Sequence, residues 1–391
     1  MGRNPGPGLC PGVNTGLSSS NKGNQQNKQP MKKKILYTVL TVAGLLLFAA
    51  CGILGYLQFT EYKPAPVEQV QAFGKGSPLA ADKTEFSVMT WNIGYAGLGR
   101  ETDYFYDGGT MVQPEKKDME SFLKGIYSEL KSTDSLDFVF LQEVDINSKR
   151  SYHENQLEEL KKALPEHCYA FALNYKVAYI PIPVLEPIGQ VNAGICTFSK
   201  NPSESNERHA YDAFFSWPKR LAFLKRCFLA SSFEVCGGKQ LIMVNLHNSA
   251  YDVTGELRSK ELAQLQAYLQ MEYQEGSFIV VGGDWNMNPR GFLPQGISSG
   301  DKAYSIKPAM DSTFMPGWQV VYDPALPTNR NTDAPYKKGV TGTTAIDFFL
   351  VSPNVTVLKC FTLDKGFENT DHNPVFLKFR LQAEVPGFSF L

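Results

Sequence analysis

The amino-acid sequence predicts an α/β protein whose two β-sheets pack face to face with helices outside, a four-layer α/β/β/α sandwich preceded by one transmembrane helix. Three observations lead there. Short apolar runs of strand type alternate with stretches of helical periodicity along most of the chain, the pattern of a layered α/β domain. Further strand-like runs follow one another without a helix between them, which calls for a second sheet. Near the amino terminus, Ile35–Phe59 carries no charge over 25 residues, enough to cross a bilayer with some tilt.

In chain order, residues 1–30 are Gly, Asn, Ser, Gln and Pro with almost no apolar side chain, so residues 1–34 are expected to form a disordered cytoplasmic segment. Residues 35–59 are the expected anchor. Lys32, Lys33 and Lys34 precede it, against Glu61 and Lys63 beyond, which places the amino terminus in the cytoplasm and everything after residue 60 outside the cell membrane. A rival reading takes Leu47-Phe48-Ala49-Ala50-Cys51 as a lipoprotein signal with anchoring at Cys51, although Gly52–Phe59 stays apolar where a mature lipoprotein turns polar. Either reading tethers the chain to a membrane. Met31 is an alternative start of translation. Residues 60–83 are expected as linker and 84–391 as one domain, long enough to bury a large core.

Within that domain, strands are expected at Phe86–Trp91, Phe138–Leu141, Ile195–Phe198, Cys227–Phe233, Leu241–Leu246, Phe278–Val281, Ile346–Val351 and Val375–Phe379. Helices are expected where apolar residues recur every three or four positions: Leu123, Ile126, Tyr127 and Leu130; Leu157, Leu160 and Leu164; Leu262, Leu265 and Leu269. Cys168, Cys196, Cys227, Cys236 and Cys360 match no metal-ligand spacing and mostly fall in apolar runs, so buried thiols are expected. Cys227 and Cys236 are the pair that could face each other across a hairpin.

The net charge of −1 conceals an asymmetry. Six of the 38 basic residues and no acid lie before residue 35, leaving 32 basic against 39 acidic residues in the rest. That sign is wrong for a domain relying on nonspecific attraction to a nucleic-acid backbone. Lys219, Arg220, Lys225 and Arg226 remain as a local basic patch.

Six segments deliver an acid, amide or imidazole at the end of an apolar run: Trp91-Asn92, Gln142-Glu143, Leu246-His247, Gly283-Asp284-Trp285-Asn286, Ile346-Asp347 and Thr370-Asp371-His372-Asn373-Pro374. Together they hold what phosphoester hydrolysis needs: carboxylates for a divalent ion, one more to activate water, and imidazoles to handle protons. Glu143 follows the buried run Phe138–Leu141, where a carboxylate is costly without a positive partner. Mg2+, or Mn2+, suits an oxygen ligand there; the structural alternative is an ion pair with Arg150. Gly282 and Gly283 would let the chain turn tightly before Asp284. Asp284 is the candidate base for water, with Asn286 fixing that water or the phosphoryl group, unless the Asp-Xaa-Asn sequence is only a turn.

In order and type the six segments resemble the endonuclease/exonuclease/phosphatase superfamily, over roughly residues 84–381. The likeness is to deoxyribonuclease-like members, here in a bacterial, membrane-anchored form. The resemblance implies the four-layer sandwich and places Asn92 beside the metal, although some relatives carry an acid where Gly94 stands. It implies that Asp347 hydrogen-bonds His372, favouring an imidazolium that stabilises the transition state, and that Asp371 contributes to the metal site. His247 matches a position where deoxyribonuclease-like and sphingomyelinase-like members keep a histidine that donates to phosphoryl or leaving oxygen, the alternative being a histidine satisfied at a strand end. His153, His167 and His209 are expected on the surface or in loops.

Asn92, Arg150 and Arg226 are candidate substrate contacts. Arg226 belongs to the basic patch and Arg150 to one of the donor-rich stretches that could equally be solvated loop: Lys149–Tyr152, Asn155-Gln156 and Ser216–Arg220. Tyr104–Gly109 should lie near the pocket mouth. The expected activity is divalent-metal-dependent hydrolysis by metal-activated water, with a lipid head group or small phosphoester favoured, nucleic acid as the alternative, and a non-catalytic binding module on the same fold as the remaining rival. No protein partner is evident.

Overall fold

The computed structural model describes residues 29–80, 82–292 and 307–382. Most of the segment expected to be disordered, residues 1–28, lies outside the described residues, as does 383–391. The chain divides into two compact units, Met1–Gly55 and Tyr56–Leu391.

The described part of the first unit is helical, within a helix running Gln29–Phe59 whose stretch from Met31 is long and apolar enough to cross a membrane. Ile35, Leu36, Leu45, Leu46 and Phe48 are all more than half exposed. A helix apolar all round is consistent with a signal peptide or a single anchor. Cys51 lies within this helix, which continues unbroken to Phe59.

Among the described residues, the second unit contains two seven-stranded sheets. The first runs in the order Val67–Gln69, Ser205–Ala210, Cys227–Val235, Lys239–His247, Phe278–Asp284, Asp347–Val351, Gln319–Val321. The second runs Val355–Thr362, Val375–Leu381, Glu85–Asn92, Phe138–Asp145, Gly189–Ser199, Cys168–Ile180, Ala72–Gly74. Each sheet has one parallel pair at its centre: Lys239–His247 with Phe278–Asp284, and Glu85–Asn92 with Phe138–Asp145. A parallel pair needs a crossover, which the helices Glu256–Gln274 and Lys116–Ser132 supply. Both pairs therefore present their carboxyl ends, Asn92, Gln142, His247 and Asp284, as neighbours within their sheets.

Side-chain alternation builds the layers. Phe86, Val88, Phe138 and Phe140 of one sheet pack against Met243, Phe278, Val280 and Phe349 of the other in a buried central cluster. Their neighbours Met89, Trp91, Val139 and Leu141 point the opposite way, onto Met119, Ile126 and Leu130 of helix Lys116–Ser132 and Leu160 of helix Gln156–Ala163. Ile279 and Val281 do the same against Leu265 and Leu269 of helix Glu256–Gln274. This is the predicted four-layer order.

Every expected strand and helix is present. Cys168–Ile180, Ser205–Ala210 and Val355–Thr362 are additional strands. Their mixed or polar sequences hide them, since each has partly exposed positions along its length. Two more occur in the expected linker: Val67–Gln69 pairs with Ser205–Ala210, and Ala72–Gly74 with Cys168–Ile180, so residues 60–83 help close both sheets.

Two expectations are corrected. Cys227 and Cys236 do not face each other: Cys227 opens the strand Cys227–Val235 and Cys236 follows its far end, a separation of roughly 30 Å at strand rise. Both thiols are free, and Cys168, Cys196 and Cys227 are buried as expected. Of the three histidines assigned to surface or loops, His153 is exposed and His167 lies in the loop before Cys168, buried with its Nε2 against the Leu136 carbonyl, whereas His209 lies in the strand Ser205–Ala210, stacked on Phe228.

Candidate active site

Strand register assembles the site. Asp284 pairs with His247 on one side and Asp347 on the other, so three residues far apart in sequence stand side by side on adjacent strands. In the second sheet Asn92 pairs with Gln142, and the ladder against Gly189–Ser199 slips between Leu141 and Val144. This irregularity holds Glu143 in the left-handed region, φ 55°, a strained backbone for a residue with a side chain. Glu143 thereby lines the cavity instead of continuing the pleat.

Gly282 and Gly283 have a different role from the expected turn. Both lie inside the strand Phe278–Asp284. A Cβ on Gly283 would stand 2.1 Å from the Leu246 carbonyl oxygen, and one on Gly282 2.5 Å from the Phe349 ring. Close packing requires these glycines, Gly283 also takes φ 149°, which a residue with a side chain rarely adopts, and a left-handed residue follows at Asn286, φ 51°.

Asp284 is held from both sheets. One oxygen accepts the Asn286 backbone N–H at 2.9 Å, and the other accepts from Asn92 Nδ2 at 3.0 Å. The same Nδ2 lies 3.2 Å from Glu143 Oε1, and Asn92 Oδ1 accepts the Gly94 N–H at 3.0 Å. His372 Nδ1 lies 2.8 Å from Asp347 Oδ2, while its Nε2 is 4.0 Å from Asp284 and 3.9 Å from Asp371. Trp91 Nε1 donates to the His372 carbonyl, and Thr370 Oγ1 donates to the Asn92 carbonyl, pinning this loop to the end of the central strand. His247 Nε2 is 3.5 Å from Asp284 Oδ2 and 4.0 Å from Glu143 Oε1.

The two imidazoles differ in charge. Burial disfavours a charged His372, but Asp347, Asp371 and Asp284 outweigh it and raise its pKa to about 10. Burial, reinforced by Arg226, His372 and Arg150, holds His247 well below the ordinary histidine value. At neutral pH His372 is an imidazolium and His247 a neutral ring. Burial together with the Asp347 charge lifts Asp284 to about 7, and burial together with the Glu143 charge lifts Asp371 to about 6.

A pH dependence follows for the ion-free chain. The unfolded chain releases these carboxyl protons near about pH 4, whereas the folded chain keeps the Asp371 proton to about 6. The folded state then binds more protons across that window, so the Asp371 contribution to stability falls as pH rises through it. Asp371→Asn should flatten the unfolding midpoint between about pH 4 and 6 in the presence of EDTA. An unchanged slope would show that Asp371 titrates as it does in the unfolded chain.

The donor set fits a divalent ion. Asp284, Asp347 and His372 offer ligand atoms within 4.8 Å of one another, although the His372 Nδ1 contact to Asp347 is already a hydrogen bond. Asn92, Glu143 and Asp371 carry oxygen donors, the type that magnesium or manganese prefers, although Asn92 Oδ1 already accepts the Gly94 N–H. Among the described residues no close cation neutralises Glu143: Arg150 binds Asp145 with two contacts of 3.0 and 2.8 Å and reaches Glu143 only at 4.0 Å. The structural Glu143–Arg150 pair that the sequence allowed is thus an Asp145–Arg150 pair.

These groups line a cavity of about 470 Å³, which takes in Glu143, Arg150, Arg226, His247, Asp284, Asn286, Asp371 and His372. Tyr104, Tyr106 and Asp107 line it too, as expected for the Tyr104–Gly109 stretch. Three of the remaining donors are structural. Lys149 donates to the Pro187 carbonyl, Asn155 caps the helix Gln156–Ala163, and Gln156 donates to the Tyr95 carbonyl.

This site lies within residues 89–372, which match the model of the Endonuclease/Exonuclease/phosphatase family. The chain belongs to that family. It is a phosphoester hydrolase whose buried Asp/His cluster is consistent with a metal site. Among solved structures it is similar to the endonuclease/exonuclease/phosphatase from Beutenbergia cavernae DSM 12333, with 19% identity, TM-score 0.52, and coverage of 77% of this chain and 72% of that one. It is also similar to ANGEL2, a 2',3'-cyclic phosphatase, with 16% identity, TM-score 0.50, and coverage of 82% and 100%. At these identities the likeness is one of fold. No match was found among curated protein sequences.

All the predicted family-site residues converge, with Asn92 joining the two sheets. Sequence reasoning missed Asn329, whose amide sits 2.9 Å from His372 Nε2. It also missed Tyr95, Tyr175 and Tyr251 in the cavity wall. No apolar run ends at Asn329, and single tyrosines carry no spacing signal.

Proposed function

We propose that this family member is a membrane-tethered, magnesium- or manganese-dependent hydrolase acting on a lipid head group or another small phosphoester. The observation that carries the reading is a cleft of about 470 Å³ lined by Glu143, Asp284 and His372, with Asp347 holding His372 from behind, in a domain of acidic balance. A compact cavity suits a small group better than a polymer.

Asn92, Glu143 and Asp371 would hold the ion, which when bound supplies Lewis acidity toward phosphoryl oxygen and water. Asp284, near neutral pKa and within reach of His372, takes the proton from the attacking water, and Asn286 orients that water or the phosphoryl group. The His372 imidazolium, held by Asp347, stabilises charge building on the phosphoryl oxygens. Neutral His247 donates a hydrogen bond to the phosphoryl or leaving oxygen. Arg226, buried and with no carboxylate partner among the described ion pairs, and Arg150 offer charge to the substrate.

The aromatic wall supports a second reading, a nuclease that stacks a base on Tyr104, Tyr106 or Tyr251. Sphingomyelin, plasmid DNA and inositol phosphates, each tested with and without EDTA, separate the two. Turnover confined to DNA would overturn the small-ester reading. A further prediction concerns topology: a reporter fused after residue 391 should be active only outside the cytoplasm, and a cytoplasmic signal would reverse the proposed orientation.

A further inference from the structure

The last residues of the apolar helix, Tyr56–Phe59, belong to the second unit. Leu57, two residues before its end at Phe59, is 4% exposed and packs with Val177, Ile180, Ile188 and Leu221. Tyr106 and Tyr175 pack on that cluster and also line the cavity, so the cluster that holds Leu57 adjoins the pocket wall. Just beyond, Glu61 binds Lys225 at 2.9 Å and Arg220 at 3.4 Å, holding the exit against the loop that continues into Phe223, Leu224 and Arg226 of the cavity wall.

Two loops based on the same cluster expose apolar side chains. The connection between Cys168–Ile180 and Gly189–Ser199 shows Leu185 at 99% and Val184 at 84% exposure, on a tip stiffened by Pro181, Pro183 and Pro187. The segment leading to Leu221 shows Trp217 at 56%, followed by Lys219, whose ammonium lies over the Phe215 and Phe223 rings. At the mouth, Val253 and Tyr251 are exposed, and Tyr251 lies 5.8 Å from Tyr106. Single exposed apolar residues are ordinary on a protein surface, but a group rising from one packed base marks a surface that is covered. A proline-stiffened aliphatic tip and a Trp-Lys segment have the composition of interfacial anchors.

We infer that the tip Ile182–Leu185 and the segment Phe214–Trp217 dock into the surface of a lipid bilayer beside the exit of the apolar helix, setting the cavity mouth against the membrane. The inference rests on the membrane-tethered reading and adds a second, peripheral contact to it. The bilayer is the occupant the structure favours, because Leu57, at the end of a helix long enough to span one, packs in the cluster from which both loops rise. Val184, Leu185 and Trp217 do not line the cavity, so docking and chemistry are separable.

Tryptophan emission tests this directly. The chain has four tryptophans, and Trp91, Trp285 and Trp318 are buried, leaving Trp217 as the exposed reporter. Full-length protein in phosphatidylcholine vesicles containing dibromo-phosphatidylcholine should lose emission, Trp217→Phe should abolish that loss, and Val184→Asp with Leu185→Asp should reduce it by at least half. Wild-type emission insensitive to bromine, or full quenching in the double variant, would overturn the docking. Hydrolysis of soluble bis(p-nitrophenyl) phosphate, measured on the same samples, should be unchanged in the double variant. A wild-type protein quenched by bromolipid yet inert toward phosphoesters would sink the hydrolase reading and leave the docking standing.

Discussion

Asp284→Asn and His372→Ala should each lower kcat by at least about a hundredfold, the lower end of what a positioned acid or base contributes, with KM little changed. The two groups work at opposite ends of one proton balance. Asp284 must be ionised to take a proton, and burial with the Asp347 charge sets its pKa at about 7. His372 must be charged, and its pKa of about 10 keeps it so. Both effects develop as the water attacks, so turnover falls more than affinity. Asp347→Asn should cost less, because Asp347 acts through the 2.8 Å contact that orients His372. Combined with His372→Ala it should add almost nothing, since the pair acts as one unit. Additive losses in that double variant, read from steady-state kinetics, would show that Asp347 works elsewhere.

Glu143→Gln should abolish divalent-dependent turnover while leaving the fold intact. The substitution removes a charged oxygen from a site suited to a hard ion, and the neutral amide is a far weaker ligand. In the ion-free chain it should be harmless or stabilising. The Glu143 carboxylate has Arg150 no closer than 4.0 Å, and its charge helps to raise the Asp371 pKa. Thermal unfolding in EDTA should therefore show an unchanged or higher midpoint for the variant, against an activity loss of at least about a hundredfold. Full activity at low magnesium would remove Glu143 from the ion site. A lowered midpoint in EDTA would mean that the strained bulge depends on the carboxylate itself.

How much of this was legible in the sequence varies with the range of the interaction. Phe138–Leu141 reads as a buried strand because its neighbours in sequence are apolar, and the helices read from periodicity along a single segment. The six segments carrying acid, amide and imidazole groups were equally legible, because each borders an apolar run and the family order ties them together. The helical stretch Ile35–Phe59 needed only its length and lack of charge. These are local properties, written in consecutive residues.

Tertiary structure decided what depends on partners distant in sequence. Only the register Asp284 with His247 and Asp347 makes three strand ends into one site. The glycines before Asp284 looked like a turn, but the Leu246 carbonyl and the Phe349 ring, which crowd them, lie on neighbouring strands. Arg150 could have paired with Glu143, and the bulge gave it to Asp145 instead. Val67–Gln69 and Ala72–Gly74 were too short to announce themselves as strands, because edge pairing is a property of the strand they meet. The charges of His372 and His247 also required the fold: the same side chain becomes an imidazolium among three aspartates and a neutral ring beside two arginines, a difference made by burial and neighbours that no stretch of sequence contains.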